Sequence, residues 1–274
     1  MQDLESLKPI LENLPTGKPH VSFSELRDWQ ECSFRHKLRH IDKLDLFEPS
    51  PILDFGTAVH SSCENYLKTR VMDAEIALAK IMKAFEDNKG KEAYQEKMLA
   101  PFLKEADAIL AEVPKFLDEN FPEWECIDAE HYLYESIEKY PHAFKGFIDG
   151  IIKTKGKRGE ELYWILDWKT TSWGWNMDKK SDPDVARQLV FYKNFWSKKK
   201  GINPKNVRCG FVLLKRTGKE GARCELVTVS VGDVTTERSI KILNNMLGSI
   251  RRGIAIKNKN SCTYCPFKDT THCT

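Results

Sequence analysis

Three stretches in the middle of the chain, Glu125 to Ile137, Ala143 to Thr154 and Glu161 to Thr170, concentrate β-branched and aromatic residues in runs of strand length. Lys155-Gly156-Lys157-Arg158-Gly159 supplies the turn that makes the last two a hairpin. Upstream, the spacing of apolar positions changes to that of helices. Ser22-Phe23-Ser24-Glu25 is a capping-box signal for a helix over Leu26 to about Ile41. Asp54 fits the cap of a second helix running to about Arg70, and two amphipathic segments follow, Asp73 to Asn88 and Glu92 to Asn120. Pro101 and Pro114 predict a break or kink in the latter. Residues 1 to about 20 read as a short helix and a connector. Downstream come a polar loop over 172–180 carrying Trp173 and Trp175, a helix from Asp182 to Lys199, a hairpin of Val207 to Lys215 with Arg223 to Ser230, and a helix from Thr235 to Arg252. The order predicts an α/β fold with a helical lobe in front of a sheet flanked by helices.

With 41% hydrophobic residues the 274-residue chain can fill one large core or two small ones, and no linker forces a boundary. The net charge of +3 is so nearly balanced that any nucleic-acid binding has to rest on local clusters of cations. No apolar run reaches membrane-spanning length, and Met1-Gln2-Asp3-Leu4-Glu5 lacks a leader's charge pattern, so the expectation is a soluble, intracellular and cytoplasmic protein without a membrane partner. Eight cysteines in such a chain are expected as thiols. Cys63, Cys126, Cys209 and Cys224 stand singly in apolar or mixed segments, as small core residues do. Cys262 and Cys265 have metal-ligand spacing, and Cys273 with Cys32 would complete four thiolates around a structural metal.

Asp167 and Lys169 lie two apart in a predicted strand and therefore on one face, where they either satisfy each other as an ion pair or hold something between them. The hairpin brings Asp149 beside them if the register suits, and Glu130 on the preceding strand is a candidate for the same side. Two carboxylates and a lysine suit phosphodiester hydrolysis: the acids hold Mg²⁺ or Mn²⁺, and the lysine orients water or offsets developing charge. His60, flanked by small residues, is either a structural histidine or a further ligand. Gln188 and Tyr192 share a helix face. Arg35, Lys157 and Arg158 are candidate phosphate contacts, with Lys153, Lys155, the run 198–200 and Arg251-Arg252 as further cations, although a solvated face explains them equally. Trp173 and Trp175 either stack unpaired bases or pack under their own loop.

The series Gly56-xxx-His60, Gly146-xx-Asp149, Asp167-x-Lys169-Thr170 and Gln188-xxx-Tyr192 resembles the RecB-like branch of the PD-(D/E)XK nuclease superfamily. That resemblance implies a restriction-endonuclease-like mixed sheet. It makes His60, Asp149 and Asp167 metal ligands, Lys169 catalytic, Glu130 a supporting acid, and Gln188 and Tyr192 supports that contact DNA. It divides a single nuclease domain into a mainly helical lobe over 22–120, a core over 121–255 and a metal-binding tail over 256–274 joined to Cys32. Exonucleases of the exonuclease V, AddB and CRISPR-adaptation type carry one cysteine in an N-terminal helix and three at the C-terminus around a 4Fe-4S cluster. Here Ser33 replaces a proline that often follows the first cysteine, and the longer gap before Cys273 leaves His272 as a substitute ligand and Zn²⁺ as the alternative metal. The function implied is a Mg²⁺- or Mn²⁺-dependent deoxyribonuclease, an exonuclease on single-stranded DNA or DNA ends in recombination, repair or DNA processing, of prokaryotic or viral origin. A non-catalytic DNA-binding subunit and a structure-selective endonuclease are the alternatives.

Overall fold

The computed structural model is described for residues 12–44, 46 and 48–273. Met1–Glu5 and the rest of the expected N-terminal helix up to residue 11 lie outside the described residues, and residues 12–19 are turn and irregular chain. The chain runs through β1 (His20–Ser22), α1 (Phe23–Glu31), α2 (Ser33–His36), α3 (Pro51–Thr69), α4 (Glu75–Asp87), α5 (Leu99–Asn120), β2 (Glu125–Ser136), β3 (Ala143–Lys155), β4 (Glu161–Thr171), α6 (Met177–Ser181), α7 (Pro183–Lys200), β5 (Val207–Lys215), β6 (Cys224–Val229) and α8 (Asp233–Arg251).

Several helix boundaries differ from the expectation, each for a local reason. Ser22 does cap α1, its hydroxyl accepting from the Glu25 N–H at 3.3 Å. The Glu25 carboxylate, however, reaches the buried His36 ring at 3.0 Å. The single helix expected to Ile41 breaks at Cys32, whose backbone is extended (φ −163°, ψ 108°) and whose sulfur accepts the Arg35 N–H as the cap of α2. A π-helical turn over Lys37–Ile41 follows. Cys32 therefore sits in a helix break and not on a helix face. The next helix starts three residues before Asp54, at Pro51, where a missing N–H costs no hydrogen bond. Asp54 is inside its first turn and accepts from the Tyr94 hydroxyl. Pro101 falls in the first turn of α5, and α5 continues through Pro114 without a break. The loop expected over 172–180 contains the start of α6, capped by Asn176 at 2.9 Å.

Contacts divide the chain into two compact units, described separately. The larger comprises residues 48–131 and 147–232. Here β3 and β4 pair antiparallel with Gly150 opposite Leu166, β4 and β5 pair parallel with Asp167 opposite Phe211, and β5 and β6 pair antiparallel. The sheet is mixed, with α3, α4 and α5 burying their apolar stripes (Phe55, Leu67, Ile81, Phe102, Leu110) against Ile152, Leu166, Trp168 and Val212. A side chain of this size contributes about 1.5–3 kcal/mol when fully buried, so this cluster is what fixes α3 on the sheet. Strand β2 contains Glu130 at φ 56°, the backbone signature of a bulge. As a result Asp128 and His131, which a regular pleat would turn to opposite faces, meet at 2.6 Å.

The smaller unit comprises residues up to 47, 132–146 and 233–274. In it β1 pairs parallel with the start of β3, His20 opposite Ala143, and the buried residues Val21, Leu26, Leu243 and Leu247 belong to β1, α1 and α8. Cys63 and Cys209, in the larger unit, are buried as expected of core thiols, while Cys126 and Cys224 are half-buried. Among the described residues no helix is long and apolar enough to cross a membrane.

Candidate active site

The glycines of the larger unit explain how α3 delivers His60. A Cβ at Gly56 would stand 3.0 Å from Thr170 Oγ1, and one at Gly150 would stand 2.7 Å from Leu67 Cδ1. Two missing side chains let the helix approach β3 and β4 closely. One turn after Gly56, His60 Nδ1 lies 3.7 Å from Asp149 Oδ2. Burial, and then the charge of Lys169, push the imidazole down to about 4, although a third of the side chain still meets solvent. The ring is therefore neutral at pH 7 and is no ionic partner for Asp149.

The hairpin register sets Asp149 against the strand that carries Asp167. Asp149 Oδ2 accepts the Trp168 backbone N–H at 2.7 Å. Burial raises the Asp149 carboxyl well above the usual range, and the neighbouring Asp167 charge adds to the effect. Asp167, 1% exposed, is also raised by burial, and Lys169 opposes that rise. Lys169 Nζ is 2.6 Å from Asp167 Oδ2, but not along a hydrogen-bonding direction, so this buried oxygen has no hydrogen-bond donor.

Lys169 is held from further sides. Its ammonium donates to Gln188 Oε1 at 3.1 Å, and the Gln188 amide donates to the Tyr192 hydroxyl at 3.0 Å. The Phe211 ring lies beneath it, 5.7 Å from Nζ. Burial, followed by the charge of Asp167, raises the Tyr192 phenol far above neutral pH, so it acts as a neutral hydroxyl. Asp182 caps α7 by accepting the Asp184 N–H at 2.8 Å, and this fixes the helix that presents both Gln188 and Tyr192.

His60, Asp149, Asp167, Lys169, Gln188 and Tyr192 are thus brought together. The other candidates are not. Glu130 is exposed on the β2 bulge; burial and the charge of Glu64 raise its carboxyl. Lys157 and Arg158 occupy the β3–β4 turn, six or more residues along the strand from Asp149 and so about 20 Å away. Lys153 and Lys155 are paired with Glu125 and Glu123. Trp173 is 80% exposed, whereas the Trp175 ring packs 5.1 Å from that of Phe211, with Lys179 over it. In the smaller unit the Arg35 guanidinium is turned inward, 9% exposed, onto Asp28 and Glu31, and does not present itself to a phosphate. Phe211 and the Trp168 N–H had not been singled out. Their roles follow from strand pairing, and no local motif announces them.

The four candidate cysteines line one cavity of about 280 Å³ in the smaller unit. Cys32 Sγ lies 3.4 Å from both the Arg35 and the Asn258 backbone nitrogens and accepts from both N–H groups. His272 does not line this cavity. Among the described residues no three His, Cys, Asp or Glu side chains are gathered closely enough to enclose a cation. The donor chemistry nevertheless fits at both places. Two adjacent carboxylates, Asp167 buried and Asp149 half-buried, suit a hard divalent cation, and four sulfurs around a cavity suit a thiophilic metal or a cluster.

A search of curated proteins gives no match. Among solved structures, a protein from Eubacterium rectale provisionally named an exonuclease superposes with a TM-score of 0.56 at 12% identity, over 91% of this chain and 88% of that one. A second, SSO0001, gives a TM-score of 0.34 at 12% identity over 89% and 93%, too low to carry an argument. The first likeness supports the mixed-sheet fold. The sequence profile of the PD-(D/E)XK nuclease superfamily matches residues 20–270, a span that includes every residue of the acid–acid–lysine group. The chain belongs to the PD-(D/E)XK nuclease superfamily.

Proposed function

We propose that the protein is a divalent-metal-dependent deoxyribonuclease of the RecB-like branch, acting as an exonuclease on single-stranded DNA or DNA ends in recombination, repair or DNA processing inside the cell. The whole chain is read as one nuclease domain, in keeping with a family match that spans both units. The observation that carries the proposal is the adjacent carboxylates of half-buried Asp149 and buried Asp167, both raised by desolvation and standing beside Lys169.

In this reading Asp149, Asp167 and His60 hold Mg²⁺ or Mn²⁺, which when bound polarises the scissile phosphate and lowers the pKa of water. The Trp168 N–H fixes one Asp149 oxygen and leaves the other for the site. A neutral His60 offers a nitrogen lone pair instead of a repelling charge. Lys169 orients the attacking water and offsets negative charge on the phosphate as it develops. Gln188 can accept from Lys169 only with its carbonyl turned that way, and its amide then has to face Tyr192; the hydrogen-bonded pair sets the lysine's direction. Trp173, exposed two residues beyond β4, supports a preference for unpaired bases. The four cysteines are read as holding a 4Fe-4S cluster, with Zn²⁺ the alternative.

The test is a time course on end-labelled single- and double-stranded DNA with a circular control, in Mg²⁺ and in Mn²⁺. Asp167→Ala and Lys169→Ala are expected to lower cleavage at least 10³-fold, about 4 kcal/mol of transition-state stabilisation, while circular dichroism stays unchanged. Undiminished cleavage by either folded variant excludes the centre, and cleavage of the circle excludes an obligate exonuclease.

A further inference from the structure

The smaller unit carries an aromatic row on its sheet that the proposed chemistry does not use. Tyr132 and Tyr134 are two residues apart on β2 and so share a face. Their rings lie 5.9 Å apart and nearly parallel, at 23°. The His20 ring of β1 meets Tyr134 edge-on at 5.6 Å. Lys145 of β3 holds its ammonium 5.9 Å from the Tyr132 ring centre. Tyr132 is 49% exposed, next to that cation.

We infer that Tyr132, Tyr134 and Lys145 form a stacking platform for single-stranded DNA: bases lie against the tyrosine faces, and the adjoining phosphate pairs with Lys145. A ring with its own cation offers what one nucleotide needs, a π-face for the base and a positive charge for the phosphodiester. Lys18 and Lys145 act on His20 against the single acid Glu25, and the two cations are complementary to a phosphate backbone. Burial and these two lysines lower the His20 pKa and leave a neutral ring that packs against Tyr134. Base stacking tolerates any sequence, which is what a nuclease without sequence preference requires. The choice of DNA as ligand rests on the function proposed above, whereas the platform itself rests on the row's geometry.

The measurement is fluorescence anisotropy of a labelled oligo(dT) with the full chain, without added Mg²⁺ or Mn²⁺, so that binding is read whether or not the protein cleaves. Tyr132→Leu is expected to weaken oligo(dT) binding about tenfold and duplex binding less than twofold, with Tyr132→Phe close to wild type. Lys145→Gln is expected to reduce the slope of log K against log salt by about 0.7. Photocrosslinking of a bromodeoxyuridine oligomer to the unaltered protein keeps the inference testable if the leucine variant does not fold, with adducts expected on Tyr132 or Tyr134. Equal losses on single strand and duplex, tight binding of RNA but not DNA, or adducts confined to other residues would each overturn it. Loss of cleavage in the assay above with oligo(dT) binding still dependent on Tyr132 would remove the nuclease reading alone; intact cleavage with binding indifferent to Tyr132 would remove the platform alone.

Discussion

Asp28 is a hub of hydrogen bonds in the smaller unit, with Arg35 at 3.1 Å, Arg39 at 2.9 Å and the His40 ring at 3.0 Å. Burial pushes its carboxyl up, but the hydrogen bonds from His40 and Arg39 and the two arginine charges outweigh burial and hold it well below the usual carboxylate range. A depressed pKa stabilises the fold fully above the unfolded value of about 3.9 and loses that contribution as pH falls towards the folded value. Asp28→Asn is accordingly expected to cost about 3 kcal/mol at pH 7, with the gap to wild type narrowing steadily below pH 4 in urea titrations. A gap unchanged at pH 3 would show that the charge is not what matters. Distant partners of this kind also explain why some single residues were misread from the sequence. Glu25 and Asp54 each fit a local cap, but their side chains bond His36 and Tyr94, 11 and 40 positions away. A local motif cannot compete with a tertiary partner that it does not contain.

For α3 the controlling feature is how near the helix can come to β4. Alanine at a helix interior normally gains up to about 1 kcal/mol over glycine, yet at position 56 the added methyl meets Thr170 Oγ1 at 3.0 Å. Gly56→Ala is expected to lower stability by about 1 kcal/mol and to reduce cleavage by displacing His60. In a Thr170→Ala background, where that oxygen is gone, the same change is expected to become neutral or stabilising. A double-mutant cycle on melting temperature checks the reversal, and additive effects would discount the close approach. At this scale much was readable. The β3–β4 hairpin could be placed because a Gly-rich turn separates two runs of strand length, with the register left open, and the helix carrying Gln188 and Tyr192 because Asp182 and Pro183 mark its start. The break at Cys32 was not readable, since apolar and polar positions keep helical spacing across a single residue whose extended backbone is held by contacts with residues 256 and 258.

Taken whole, the chain places the four cysteines that share a cavity in one unit and its paired acids in the other. The four cysteines expected from the sequence to act together, Cys32, Cys262, Cys265 and Cys273, line one cavity, although Cys32 stands more than 200 residues from the other three. Protein purified without oxygen is expected to contain iron and labile sulfide, and stoichiometric zinc without iron would overturn the cluster. Because metal binding to such a site is folding free energy, removing the metal is expected to lower one calorimetric transition and leave the larger unit's within about 2 °C. A single transition that falls as a whole would show that the two units unfold together.

The bulge at Glu130 gives this chain a position where two selections diverge. A left-handed backbone costs a side-chain-bearing residue about 1–2 kcal/mol, which glycine avoids. Glu130→Gly is expected to raise the melting temperature while it deletes an acid that bears on the field at Asp149. In a library screened for thermal survival, glycine should be enriched at position 130. Screened for DNA cleavage, the same library should retain glutamate, and identical preferences in the two screens would mean that this residue only turns the strand.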